Sequence, residues 1–202
     1  QRFKALDKHG LTNEERVRLL FSTDIFLHQT IWRLSGNEEI IQILNEIDIP
    51  IFYVMGNDDF YNWNEIESNL IYIDQKREEL EEFNLVGYQY TLPFVNSEFE
   101  KDEFEIKKDL QMLKKHVDNK TILVTHGPPK GILDKVHSGA HVGSTSLKSF
   151  VKDTTPYLHV FGHIHESFGS IGIHFNVAFS YNNKISIIDL ETIERKIIKW
   201  VI

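Results

Sequence analysis

Three short apolar runs in this chain stop at the same punctuation, a glycine set among metal-competent polar side chains, and that recurrence narrows the folds open to it. Ile51-Phe52-Tyr53-Val54-Met55 runs into Gly56-Asn57-Asp58-Asp59. Thr121 to Val124 runs into Thr125-His126-Gly127-Pro128-Pro129, and Tyr157 to Phe161 into Gly162-His163-Ile164-His165. Helical patterns lie between: Asn37 to about Ile47, Glu103 to about Val117 and Leu147 to Lys152. Phe104, Ile106, Leu110 and Leu113 are expected on the inner side of the long one. Further β runs are expected at Val17 to Ser22, Leu70 to Ile73, Asn84 to Tyr90, Ile171 to Phe175, Lys184 to Ile188 and Ile197 to Val201. Strands alternating with helices define an α/β chain, and such sheets bind ligands beyond the carboxyl ends of their strands. Three strand ends of this kind point to one shared site.

Composition trims the alternatives. Cysteine is absent, which excludes a disulfide scaffold, a Cys-ligated zinc site and a thiol nucleophile together. No apolar run approaches the roughly 18 residues of a membrane span, and no signal-peptide pattern opens the chain. A cytoplasmic location is expected. Twenty-two basic against 30 acidic residues leave a formal charge of −8. That repels long nucleic acid and anionic membrane in bulk, so a phosphate must be attracted locally, by a metal or a dipole. With no repeat or Pro/Gly-rich linker, residues 1–202 read as a single domain. The longest irregular stretch, Gly127 to Ser146, is of a length more often functional than idle.

An amide oxygen, three imidazoles and nearby carboxylates make a mixed N/O donor set that suits Mn, Fe or Zn better than Ca or Mg. The glycines before Asn57 and His163 are expected to let the backbone turn sharply, aiming the next side chain at an ion. Each cluster also has a plain reading. Gly-Asn-Asp-Asp is a turn sequence, and His126 can be a strand-end histidine followed by two stiffening prolines. Gly-His-x-His after a buried strand is harder to dismiss, because two imidazoles one residue apart can reach neighbouring metals.

The ordered set Gly-Asn-x-Asp, Thr-His-Gly-Pro-Pro and Phe-Gly-His-Ile-His-Glu resembles the calcineurin-like metallophosphoesterases. The stretch from His126 to Gly169, including Ser138-Gly139-Ala140-His141-Val142-Gly143-Ser144, is similar to their Icc-related branch. The resemblance implies a four-layer αββα sandwich, two mixed sheets flanked by helices, with a dinuclear metal centre at the strand ends. It makes Asn57, His126 and His163 ligands of one ion and His165 a ligand of the other. Asp24 in Thr23-Asp24 stands where the family's bridging aspartate is expected, although Thr23 replaces the usual glycine. The ions implied are two divalent metals, Mn first and Fe or Zn as alternatives.

Three places depart from the family pattern. The family opens with an apolar strand ending in Asp-x-His. Asp7-Lys8-His9 matches those letters without a strand before them, and Arg2 to His9 reads better as a helix end capped by Gly10. The true motif is then expected upstream of Gln1, or lost, so the N-terminal strand can be missing from the chain. Asp58 follows Asn57 where many relatives carry a histidine that assists the leaving oxygen. A carboxylate there helps only if protonated or turned toward a metal, and would favour leaving groups that depart easily. Phe175-Asn176-Val177-Ala178 replaces an expected Asn-Pro-Gly turn, with only local backbone consequences expected.

The reaction implied is hydrolysis of a small phosphoester, as a phosphodiesterase or phosphatase, through a metal-bridging hydroxide, with Asn57, Asp58 and His126 at the chemistry. His141 is a candidate substrate contact in the long loop, and Lys130 a candidate phosphate contact. The alternative is a catalytically impaired pseudoenzyme, a binding module on the same fold. A membrane partner is not expected, and a homo-oligomer is compatible with the sequence.

Overall fold

The computed structural model describes residues 20–21, 50–57, 70–178 and 184–199. Two short strands come first, β1 (Leu20–Phe21) and β2 (Ile51–Tyr53), followed by β3 (Leu70–Tyr72). Then come β4 (Arg77–Leu80), β5 (Phe83–Tyr88), β6 (Thr121–Thr125), β7 (Leu158–Phe161), β8 (Gly169–Ile171) and β9 (His174–Asn176). These last six form the central sheet, in the order β4-β5-β6-β7-β9-β8. The inner four, β5, β6, β7 and β9, are parallel, and β4 and β8 close the two edges antiparallel. A parallel pair, β2 with β3, joins this sheet through the bridge from Asp74 to Gly87. A separate antiparallel sheet holds β1, β10 (Lys184–Ile188) and β11 (Arg195–Lys199).

Side chains alternate across the central sheet with period two, as the pleat requires. Leu85, Ile122, Val124, Leu158, Val160 and Phe175 face one apolar layer, closed by Ile188 of the second sheet, by Leu190 in the turn after it, and by Val54 and Ile73. Val86, Tyr88 and Leu123 face the other way, onto helices α1 (Glu103–Leu113) and α2 (Thr145–Thr154). Burying near-continuous apolar strands on both faces is what a parallel sheet demands. Helices, mixed sheet, apolar layer and second sheet follow in that order, which fits the four-layer sandwich. The helix expected over Asn37 to Ile47 lies outside the described residues.

Several expectations need correction. The helix from Glu103 is α only to Leu113, and Lys114–His116 finish it as a 3-10 turn. Phe104 is not on its inner side but 76% exposed. It precedes Ile106 by two residues, about 200° round a helix of roughly 100° per residue, whereas Ile106, Leu110 and Leu113 share one face. The single strand expected over Ile171 to Phe175 is a hairpin, β8 and β9, turning on Gly172 at φ +57°. Strand β4, Arg-Glu-Glu-Leu, carries no apolar alternation. It is an edge strand rich in charge, with Glu79 exposed, the usual protection of an open edge.

One carboxylate couples the two helices. Asp102 caps α1 with a capping box shared with Glu105. Glu103, in the first turn of α1, reaches across to the start of α2, accepting from the backbone N–H of Thr145 at 2.6 Å and of Ser146 at 3.0 Å. The Ser144 hydroxyl, itself the cap of α2, adds a third bond at 3.0 Å. Partial burial works against the charge on Glu103. The hydroxyl and N–H donors outweigh it and hold the carboxyl down at about 2.

Candidate metal centre

The strand ends stay in register beyond their ladders. The His126 N–H donates to the Tyr88 carbonyl at 3.0 Å, and the Gly162 N–H donates to the His126 carbonyl at 3.0 Å, so β5, β6 and β7 are tied laterally at the site. Gly127 is required there, since a Cβ would lie 2.7 Å from Oγ1 of Thr91. On the helix side of the sheet a polar chain steadies the same corner. The Thr125 hydroxyl donates to the Gly127 carbonyl at 2.8 Å, which leaves its oxygen to accept from Nε2 of His159 at 3.0 Å. Nδ1 of His159 then accepts from Nδ1 of His174 at 3.2 Å, a tautomer assignment that follows from the network. Complete burial, with His174 adding to it, pushes the His159 pKa well down, and a neutral ring is what the network needs.

Three of the expected ligands converge. Oδ1 of Asn57 lies 2.8 Å from Nε2 of His126 and 3.1 Å from Nδ1 of His163. The two rings sit edge to face with centroids 4.8 Å apart. Asn57 and His126 are buried, 5% and 1% exposed, while His163 opens toward solvent. Two donor atoms bound side by side on one octahedral ion at about 2.1 Å lie about 3 Å apart, the spacing seen around Asn57 Oδ1. The amide oxygen and the imidazole nitrogens therefore fit a shared divalent cation both in distance and in chemistry.

The turn that aims these side chains differs from expectation. The positive φ belongs to His163 itself, at +65°, and not to Gly162. A non-glycine residue in the left-handed region costs about 1 kcal/mol, and such strain clusters at functional sites. His165 follows at the start of a 3-10 turn, His165–Ser167, and is half-buried. Asp7, His9, Asp24 and Asp58 lie outside the described residues. Among the described residues no three His, Cys, Asp or Glu side chains group as a metal cluster. The nearest approach to one is built on an asparagine and two histidines.

The long loop is organised by a residue that the sequence motifs do not mark. Asp134 is fully buried, and its Oδ2 accepts from the N–H groups of Gly131 and Gly143, both at 2.9 Å. Its Oδ1 meets Nδ1 of His141 at 2.5 Å, so that ring is oriented while its side chain stays 46% exposed. Burial alone would raise the Asp134 pKa, but the donors hold it below the usual value. Lys130 does not point to an open phosphate site, because its Nζ donates to the His141 carbonyl. Asn176 does more than the local backbone role expected of it. Its buried Nδ2 donates to the carbonyls of Leu133 at 3.0 Å and Ile164 at 2.9 Å, tying the long loop to the His163 turn. The Ser167 hydroxyl adds a second tie to the backbone of Lys135. The signal available for Asp134 is its place seven residues before His141, a weak one in a polar loop.

The calcineurin-like phosphoesterase family model matches residues 2–167. The chain belongs to that family, and membership supports a metal-dependent phosphoesterase in general. Metallophosphoesterase domain-containing protein 1 of Homo sapiens is 52% identical over 50 residues, covering 24% of this chain and 15% of that protein. A UPF0046 protein of Caenorhabditis elegans is 32% identical over 116 residues, 57% of this chain and 37% of that protein. The chain spans well under half the length of these curated relatives. The structure of TT1561 of Thermus thermophilus superposes with a TM-score of 0.58 at 15% identity, over 81% of this chain and 78% of that one, a likeness of fold. No described helix is long and apolar enough to cross a membrane.

Proposed function

We propose that this chain hydrolyses a small phosphoester with two divalent ions, Mn before Fe or Zn, at the carboxyl ends of β2, β6 and β7. The observation that carries the reading is the 2.8 and 3.1 Å approach of His126 and His163 to one amide oxygen of Asn57. Asn57, His126 and His163 would hold one ion, His165 the other, with Asp24 between them; Asp7 and His9 are weaker candidates for the second. Two divalent ions, when bound, offset phosphate charge and activate the attacking water. The work left to the protein is positioning. The Asn57 carboxamide and the neighbouring imidazoles lie on rigid strand ends, so the donor set is formed in advance. His141, oriented by the buried Asp134 carboxylate, would present Nε2 to a phosphate oxygen. Asp58 would stand beside the leaving group.

The test is hydrolysis of bis(p-nitrophenyl) phosphate in excess Mn²⁺ by the native chain and by His126→Ala and His163→Ala. Loss of at least about a hundredfold in both variants, with bound metal lost in parallel, is expected. Undiminished turnover in either variant would sink the assignment. Metal binding without any turnover by the native chain would favour the binding-module reading.

A further inference from the structure

Phe94 is a large apolar side chain left 67% exposed, with Val95 beside it at 52%. Its position is not casual. Its ring meets the ring of His163 edge to face, at 85° with centroids 5.5 Å apart. The backbone beneath it is fixed, because the Glu100 carboxylate accepts from the N–H of Val95 and of Asn96 at 2.8 Å and of Ser97 at 3.3 Å. The loop is closed by Thr91 N–H to the Phe99 carbonyl and Lys101 N–H to the Thr91 carbonyl. Thr91 packs against Gly127, the residue after His126, at a contact that admits no Cβ. The loop is thus anchored to the same strand end as the candidate ligands, and it holds an apolar face open to solvent next to one of them.

From this geometry we infer that Phe94, with Val95 at its flank, is the specificity wall of the site and selects phosphoesters that carry an aromatic ring. The inference rests on the proposed phosphoesterase reading. An aryl ring lies one bridging oxygen from its phosphorus in an ester and directly on it in a phosphonate, so in either case a phosphorus group taken by the Asn57–His126–His163 cluster brings that ring beside Phe94. Aromatic rings pair offset or edge to face, and a solvated Phe held rigidly gains most from such a partner.

The test compares binding of phenylphosphonate and methylphosphonate, non-hydrolysable probes differing only in the ring, to the Mn²⁺-loaded chain by calorimetry. The native chain is expected to bind the phenyl compound about tenfold more tightly. Phe94→Ala should bring that ratio to about one, and Phe94→Trp should keep it. Because Phe94 is exposed, neither variant puts folding at stake. An equal phenyl-to-methyl ratio in native chain and Phe94→Ala overturns the inference; if the native chain also turns over bis(p-nitrophenyl) phosphate, the phosphoesterase reading survives that loss. Failure of both phosphonates to bind likewise overturns the inference, and only absence of bis(p-nitrophenyl) phosphate turnover would take the phosphoesterase reading with it.

Discussion

Two loops flank the candidate centre, and each is organised by one carboxylate that collects backbone N–H groups. They differ in depth. Asp134 is fully buried and ties Gly131, Gly143 and His141, while Glu100 is half-exposed and ties Val95, Asn96 and Ser97. The chemistry is the same, but the consequence of removing it is not. A buried N–H stripped of its acceptor carries the full desolvation penalty, whereas an exposed one turns to water. The loop built on the buried carboxylate is accordingly held from within, with His141 at its surface, and the loop built on Glu100 is a surface feature free to carry specificity.

The comparison breaks first at Asp134. Asp134→Ala leaves the buried Gly143 N–H without its acceptor and releases the Gly131 N–H and the His141 ring, and should cost about 2 kcal/mol in urea unfolding. A loss below about 1 kcal/mol would mean that the loop re-forms without it and that depth is not what separates the two loops. A smaller effect is expected at Glu103, whose carboxylate is intermediate in exposure and caps α2. Glu103→Gln should cost about 1–2 kcal/mol at neutral pH. The sign with pH is fixed by the shift. The folded carboxyl stays ionised down to about 2 against an ordinary value of 4.5. Its contribution is therefore present above pH 4.5 and is lost as pH falls from 4.5 toward 2. Unfolding curves of the native chain and Glu103→Gln should converge in that window, and parallel curves would contradict the cap. The smallest stability change belongs to Glu100→Gln, under about 1 kcal/mol, because its N–H partners are hydrated when released. That variant should nevertheless lower the phenyl-to-methyl preference, since it loosens the backbone under Phe94. A large stability loss with the preference intact would reverse the roles given to the two loops.

What is legible in the sequence follows from what each residue's signal depends on. The three strand ends are readable because a buried parallel strand is a plain apolar run, and the residue after it must leave the sheet. Asn57, His126 and His163 sit where that logic puts them. Asp134 is not readable, since a lone aspartate in a polar loop looks solvated until the fold closes over it. Asn176 escapes for a related reason: its value lies in two carbonyls, at Leu133 and Ile164, that are distant in the chain. Phe104 looks inward on composition, although its angular offset from Ile106, Leu110 and Leu113 already points it out. β4 stays hidden because an edge strand is protected by charge, which hides the period-two signal. The bridging candidate Asp24, the catalytic candidate Asp58 and the second-metal candidates Asp7 and His9 lie outside the described residues and remain proposals.

The central claim is that Asn57, His126 and His163 form a metal site. The most direct measurement is elemental analysis of Mn²⁺ per chain after loading and desalting, on the native protein and on His163→Ala. About two ions on the native chain, and at least one fewer on the variant, is the result expected. No retained ion on the native chain, or the same number on both, would contradict it.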